Sequence, residues 1–181
     1  MTLSQEDGQL FYRLWLPLLD YVNERYHICK DLKDMATAKG LDPAEVKKVA
    51  NQLWENVDVI DSYLAKRPDL PEDHREVIKG WKRRIQGQYI MERHLKKGTI
   101  FISMDEEEVY QVSGIISSWE EMFYGAPMPL MVEATFIPFR DVIISDGLVR
   151  PYNMMLGNGI KRMCKDIYMA AKKDGRIHRS L

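Results

Sequence analysis

Hydrophobic positions recur at three- and four-residue spacing through the first half of the chain. Through the second half they alternate or form short solid runs. Leu10, Phe11, Leu14, Trp15, Leu18, Leu19 and Val22 share one helical face, and Ser4 with Asp7 three residues later resembles a capping box at its start. Pro17 lies inside this run and lacks the N–H a helix interior needs, so a kink or restart is expected there. A second helix carries the fullest start signal, with Asp42 as N-cap, Pro43 at the first position and Glu45 in the first turn. Its stripe is Val46, Val49, Ala50, Leu53, Trp54, Val57, Ile60 and Leu64, and it stops before Arg67-Pro68. A third helix begins near Pro71-Glu72-Asp73 and turns Val77, Ile78, Trp81 and Ile85 inward.

After Gln86-Gly87 the period changes. Residues 88–95 alternate, 99–104 are rich in β-formers, and 109–114 alternate again across a polar turn at 105–107, which predicts a three-stranded meander. A short helix over 117–122 and the connector Ala126-Pro127-Met128-Pro129 precede the most hydrophobic strand, 130–136. Arg140-Asp141 turns that strand back into 142–145, and Asp146-Gly147 is a further turn signal. A last amphipathic helix over 158–173 carries Ile160, Met163, Cys164, Ile167, Tyr168 and Ala171, with Asn158 as its N-cap and Gly175 as its stop. The fold class expected is α+β. An N-terminal helical bundle over 1–86 packs on a small antiparallel β-sheet or SH3-like open barrel over 87–181, of the size class of SH3-like or OB folds, closed by the C-terminal helix into one compact unit.

Length and composition narrow the class. With 181 residues, 45% of them hydrophobic, the chain has enough apolar surface to fold. No apolar run approaches the roughly 18 residues that span a bilayer. The first seven residues lack the basic start and apolar stretch of a secretory signal, so a cytoplasmic protein is expected, without membrane contact. Cys29 and Cys164 have no His or Cys at ligand spacing, so they read as small buried thiols, and neither metal nor cofactor is expected.

The net charge of -1 hides an uneven distribution: residues 1–71 carry -3, 72–97 carry +4, 98–149 carry -8 and 150–181 carry +6. Either the basic end meets an anionic partner, or the acidic and basic segments neutralise each other.

One stretch carries a family resemblance. Ile137-Pro138-Phe139, Asp146-Gly147-Leu148, Tyr152-Asn153, Gly157-Asn158-Gly159-Ile160-Lys161-Arg162 and the terminal Ser180-Leu181 resemble a family of bacterial proteins with no established activity. The opening Leu14-Trp15-Leu16-Pro17-Leu18-Leu19-Asp20-Tyr21-Val22-Asn23 and the pair Trp54-Glu55 fit the same pattern; Leu156 and Arg179 depart from it. The resemblance implies an intact domain and a bacterial source, and no reaction.

Candidate chemistry divides into two groups. Asp146, Tyr152, Asn153, Lys161 and Arg162 are the candidate ligand-binding residues: a Gly-Asn-Gly loop before a helix presents N–H groups to a phosphate, with Lys161 or Arg162 closing on it and Asp146 serving a cation or general acid/base role. Glu133 and Asp141 are further carboxylates of the same sheet end. The competing reading makes Asp146-Gly147 a turn and Gly157-Asn158-Gly159 a tight loop. Tyr89, Arg93, Phe101 and Tyr110 are the candidate nucleic-acid face, since aromatic rings on adjacent strands flanked by cations form a stacking platform. His94, between basic residues, is expected to have its charged form disfavoured by Lys96 and Lys97. The four tryptophans sit on apolar stripes or at helix starts and read as core.

No catalytic motif is assembled in the sequence. The leading expectation is therefore a non-catalytic cytoplasmic binding or adaptor protein with a protein partner. The alternatives are an enzyme or binder acting on a phosphorylated small molecule or nucleotide, and nucleic-acid binding through the basic segments; the oligomeric state is open.

Overall fold

In the structure, a computed structural model that describes residues 1–37 and 40–181, the helical periodicity of the first half becomes four helices: α1 (Gln5–Tyr26), α2 (Pro43–Glu55), α3 (Val59–Ala65) and α4 (Glu72–Gly80). They form one compact unit, Gln5–Lys82. α1 runs through Pro17 without restarting, its buried Leu14, Trp15, Leu18 and Leu19 straddling the proline, so packing on both sides offsets the lost backbone bond. Asp42 accepts the Ala44 N–H at 2.9 Å and starts α2 as its sequence predicts. The stripe from Val46 to Leu64 is not one helix, however. The chain leaves helical geometry at Asn56, whose N–H turns back to the Leu53 carbonyl, and Ile60 and Leu64 reach the core from α3 instead. Trp15 stacks on Trp54 at 5.3 Å and meets the edge of Trp81 at 5.5 Å, with Phe11 5.8 Å from Trp81. Burial of each such ring contributes about 1.5–3 kcal/mol or more.

Met1–Ser4 and Arg83–Leu181 form the second unit. The expected boundary at 86/87 thus lies at 82/83, and the first four residues belong with the strands. Gly114 explains why: its carbonyl accepts the Leu3 N–H and its N–H donates to Met1 O, both at 3.0 Å. A Cβ at this position would stand 2.1 Å from the Ser117 carbonyl, so only glycine fits.

The strands are β1 (Ile85–Leu95), β2 (Gly98–Ser103), β3 (Val109–Val112), β4 (Leu130–Phe139), β5 (Val142–Ser145) and the two-residue β6 (Arg150–Pro151) and β7 (Ile177–His178). Ile85, expected in the third helix, opens β1. The meander β1-β2-β3 and the β4-β5 hairpin are as predicted, but the sheet is mixed, because β3 pairs in parallel with both β5 and β7. The order is β1-β2-β3-β5-β4-β6, and β4 pairs with β1 as well, so five strands form a closed ring of pairings. Between β3 and β4 the short helix α5 (Trp119–Met122) is held by a capping box, Ser118 with Glu121, and seats Trp119 4.8 Å from Phe101.

Each of β1, β2 and β3 buries both faces. Tyr89, Met91, Phe101, Tyr110 and Val112 join Val132, Phe136 and Ile143 in one core cluster. Their neighbours Ile90, Ile100, Ile102 and Val109 point the other way, under the last helix, α6 (Asn158–Lys173), which covers them with Cys164, Tyr168 and Ala171. A solid run such as Ile100-Phe101-Ile102 is what a strand covered on both faces requires.

Candidate functional site

Asp146, the strongest carboxylate candidate, is 1% exposed. Its Oδ1 accepts the Leu148 N–H at 3.0 Å, its own N–H donates to the Thr135 carbonyl, and Ser145 Oγ accepts the Gly147 N–H at 3.1 Å. Those bonds make it a turn residue, with Gly147 at φ +83° completing the turn. Tyr152 lies beside Met131 on β4, four residues along that strand from the position that Asp146 bonds, and its hydroxyl accepts from Gln88 Nε2 at 2.9 Å. Asn153 is exposed. Glu133 lies 3.9 Å from Arg150, and Asp141 belongs to the hairpin turn between β4 and β5. Of the five candidates, Asp146 is buried in a turn, whereas Asn153, Lys161 and Arg162 are exposed.

The N-cap of α6 is Gly157, not Asn158, and no side chain caps it.

The nucleic-acid face is not at the surface. Tyr89, Phe101 and Tyr110 are buried rings, Tyr89 edge-on to Tyr110 at 6.1 Å and Phe101 edge-on to Phe136 at 5.0 Å. Burial pushes the Tyr89 hydroxyl pKa well up, as it does that of Tyr110. Alternation alone could not say which face of β1–β3 turned outward, because both are apolar. Arg93 reaches the opposite side of the sheet. A bulge between Met91 and Arg93 puts Glu92 and Arg93 together there, where Arg93 Nη2 donates to Glu92 Oε1 at 2.7 Å and its Nε to the other oxygen. Its guanidinium lies over the ring of Tyr168.

His94 has its pKa lowered, as expected, but the leading cause is burial; Glu120 opposes the shift and the N-terminal ammonium adds to it. Its Nδ1 is 2.8 Å from Thr99 Oγ1.

In the helical unit a groove of about 650 Å³ is lined by residues of α1 and the following loop, among them Asp20, Asn23, Cys29, Lys30 and Asp34. Asn23 holds this loop: its Nδ2 donates to the carbonyls of Cys29 and Leu32, and its Oδ1 accepts the Cys29 N–H. Both oxygens of Asp20 lie within 3.1 Å of the Met35 N–H they accept. Cys29 donates its thiol to Glu45 Oε2 at 2.9 Å, and burial first, then Glu45, raises its pKa from 9.0 to about 11. At neutral pH the thiol is therefore protonated and a poor nucleophile. Among the described residues no group of three His, Cys, Asp or Glu is arranged to hold a metal ion, and no helix is long and apolar enough to cross a membrane.

The feature that sequence reasoning passed over is the outward side of α6. Its inner stripe, Cys164, Tyr168 and Ala171, is buried; Lys161, Lys165 and Lys172 are exposed along one flank of that stripe, and Arg162, Lys173 and the acidic Asp166 on the outer side, none of the five cations in an ion pair among the described residues. Arg176, just beyond, pairs with Asp174. Met169 lies among these cations and Met163 beside them, while Met154 and Met155, the latter 83% exposed, precede the helix. A helical-wheel projection of 158–173 carries this signal. The two basic residues picked from it, Lys161 and Arg162, were the end of a longer row.

No protein-family model, curated protein or solved structure matches the chain.

Proposed function

We propose that this protein is a non-catalytic binding module whose partner is an acidic protein segment docking on the outward face of α6. The observation that carries the reading is the five exposed, unpaired cations that α6 sets against one exposed carboxylate, Asp166, with Met169 among them and Met163 beside them. One of the cations, Lys161, stands in the first turn of a helix that has no acidic residue there. A cation at that end opposes the helix dipole by about 0.3–1 kcal/mol, whereas Lys172 and Lys173 in the last turn complement it. Exposed methionines adapt to many apolar partners, and the cations around them select for acidic ones.

The ring β1-β2-β3-β5-β4-β1, with a helix between its third and fourth strands, is read as a small closed barrel of OB type. OB folds bind ligands across their second and third strands. Here α6 lies over β2 and β3, and the rings proposed as a stacking platform are core. This favours a protein partner over nucleic acid and moves the docking surface outward onto α6 itself.

Hydrogen exchange of the full chain with and without soluble polyglutamate tests the reading. Slowed exchange confined to 158–173 and the loop before it is expected. Protection that centres on the groove of the helical unit, with none on α6, is the contrary result.

A further inference from the structure

We infer that a second copy of this chain is an occupant of the α6 face, and that the segment it inserts is the acidic turn between β2 and β3. This rests on the reading of α6 as a surface for acidic segments and names its partner. The turn comprises Met104, Asp105, Glu106, Glu107 and Glu108. Glu108 is bonded to His178 at 2.7 Å. Asp105, Glu106 and Glu107 are exposed and make no ion pair among the described residues, and Met104 beside them is exposed as well.

The turn is held by its own hydrogen bonds. The Ser103 N–H donates to the Glu108 carbonyl at 2.9 Å, the Glu106 N–H to Ser103 Oγ at 3.4 Å, and Glu107 sits at φ +55°. One chain thus carries an acidic knob with an apolar residue at its root and a cationic helix face set with methionines. The -8 and +6 segments of the sequence bear these two features; His178 meets Glu108 and Arg150 meets Glu133 across them, while Asp105, Glu106 and Glu107 on the one and Lys161, Arg162, Lys165, Lys172 and Lys173 on the other are in no ion pair among the described residues. Both features belong to the same compact unit. A two-fold axis relating two copies therefore makes the knob-on-helix contact twice. A net charge of -1 sets little long-range repulsion against such contact.

The test is a charge exchange followed by sedimentation velocity on the full chain. The wild type is expected to associate in a concentration-dependent manner at low salt and to dissociate as salt is raised. A variant with Asp105→Lys, Glu106→Lys and Glu107→Lys has knob and helix both basic; one with Lys161→Glu, Arg162→Glu, Lys165→Glu and Lys172→Glu has both acidic. Each alone is expected to sediment as a monomer, and an equimolar mixture to associate again, because each knob then faces a helix of opposite charge. Circular dichroism and the thermal midpoint establish that both variants are folded. A wild type that stays monomeric at the lowest salt, association that survives either reversal, or a mixture that remains monomeric overturns the inference. Polyglutamate binding by the knob-reversed variant separates this from the underlying reading: if that variant binds polyglutamate while no self-association occurs, the self-association inference fails and the α6 face stands.

Discussion

Arg93 on β1 places its guanidinium carbon 4.3 Å from the centroid of the Tyr168 ring on α6. The pair fastens the last helix to the sheet, and its neighbours repeat the contact: Glu92, bonded to Arg93, faces Cys164 closely enough to raise the thiol pKa beyond the larger effect of burial. The cation is thus absorbed by Glu92 and Tyr168 at the inner side of α6, whereas Lys161, Arg162, Lys165, Lys172 and Lys173 of the same helix are exposed.

Tyr168→Ala removes a buried ring and the cation–π contact together, so a loss of about 3–4 kcal/mol is expected in denaturant unfolding. Cys164, now 0% exposed, should at the same time react faster with a thiol reagent. Tyr168→Phe keeps the ring over Cys164 and should retain its protection. Equal labelling rates in the alanine variant and the wild type would show that α6 is held by something else.

Asn23→Ala strips three hydrogen bonds from the loop after α1, leaving the Cys29 N–H and two carbonyls without their partner. A cost of about 2–3 kcal/mol is expected, with faster amide exchange at Cys29 as the local sign. Polyglutamate binding should not change.

The thiol of Cys29 gives the helical unit an alkaline limb. Its folded pKa of about 11 lies above the ordinary 9.0, so between those values the folded chain holds more proton than the unfolded one. The stabilisation is present in full below pH 9 and is lost as pH rises through 11. Unfolding free energies measured across this range should fall more steeply for the wild type than for Cys29→Ser, which keeps a donor for Glu45 but does not ionise there. Superimposable profiles would be the contrary finding.

Thr135 is fully buried and its hydroxyl has no hydrogen-bond partner. Thr135→Val exchanges that hydroxyl for a methyl group of the same branching, so stability should rise by about 1 kcal/mol. A fall in the unfolding midpoint would mean that the hydroxyl is bonded in solution.

What the sequence made legible was local. Asp42-Pro43 marked the start of α2, Ser118 and Glu121 cap the short helix expected between the meander and the long strand, and the apolar spacing of 158–173 matched α6 at both ends. What it hid was pairing across distance. The stripe from Val46 to Leu64 looked continuous because α2 and α3 face the same core, and only backbone geometry at Asn56 divides them. The parallel partners of β3 lie far along the chain, and β6 and β7, two residues each, are too short to alternate. Tyr89, Phe101 and Tyr110 were correctly seen to share one side of the meander. Whether that side was core or surface depended on α6 covering the other, a contact between segments some 60 residues apart. The site was less legible: that Asp146 is buried in a turn while Lys161 is exposed, and which cations of α6 remain uncovered, follow only once β4, β5 and Tyr168 are placed.

The central claim is that the outward side of α6 is a docking surface for acidic polypeptide, and fluorescence anisotropy of labelled polyglutamate against the full chain tests it most directly. The account predicts binding at low salt that weakens steadily as ionic strength rises, and a loss of about tenfold or more in affinity for Lys161→Glu with Lys165→Glu, with Asn23→Ala binding as the wild type does. Equal affinities for the wild type and the α6 variant, or no binding at the lowest salt, would contradict it.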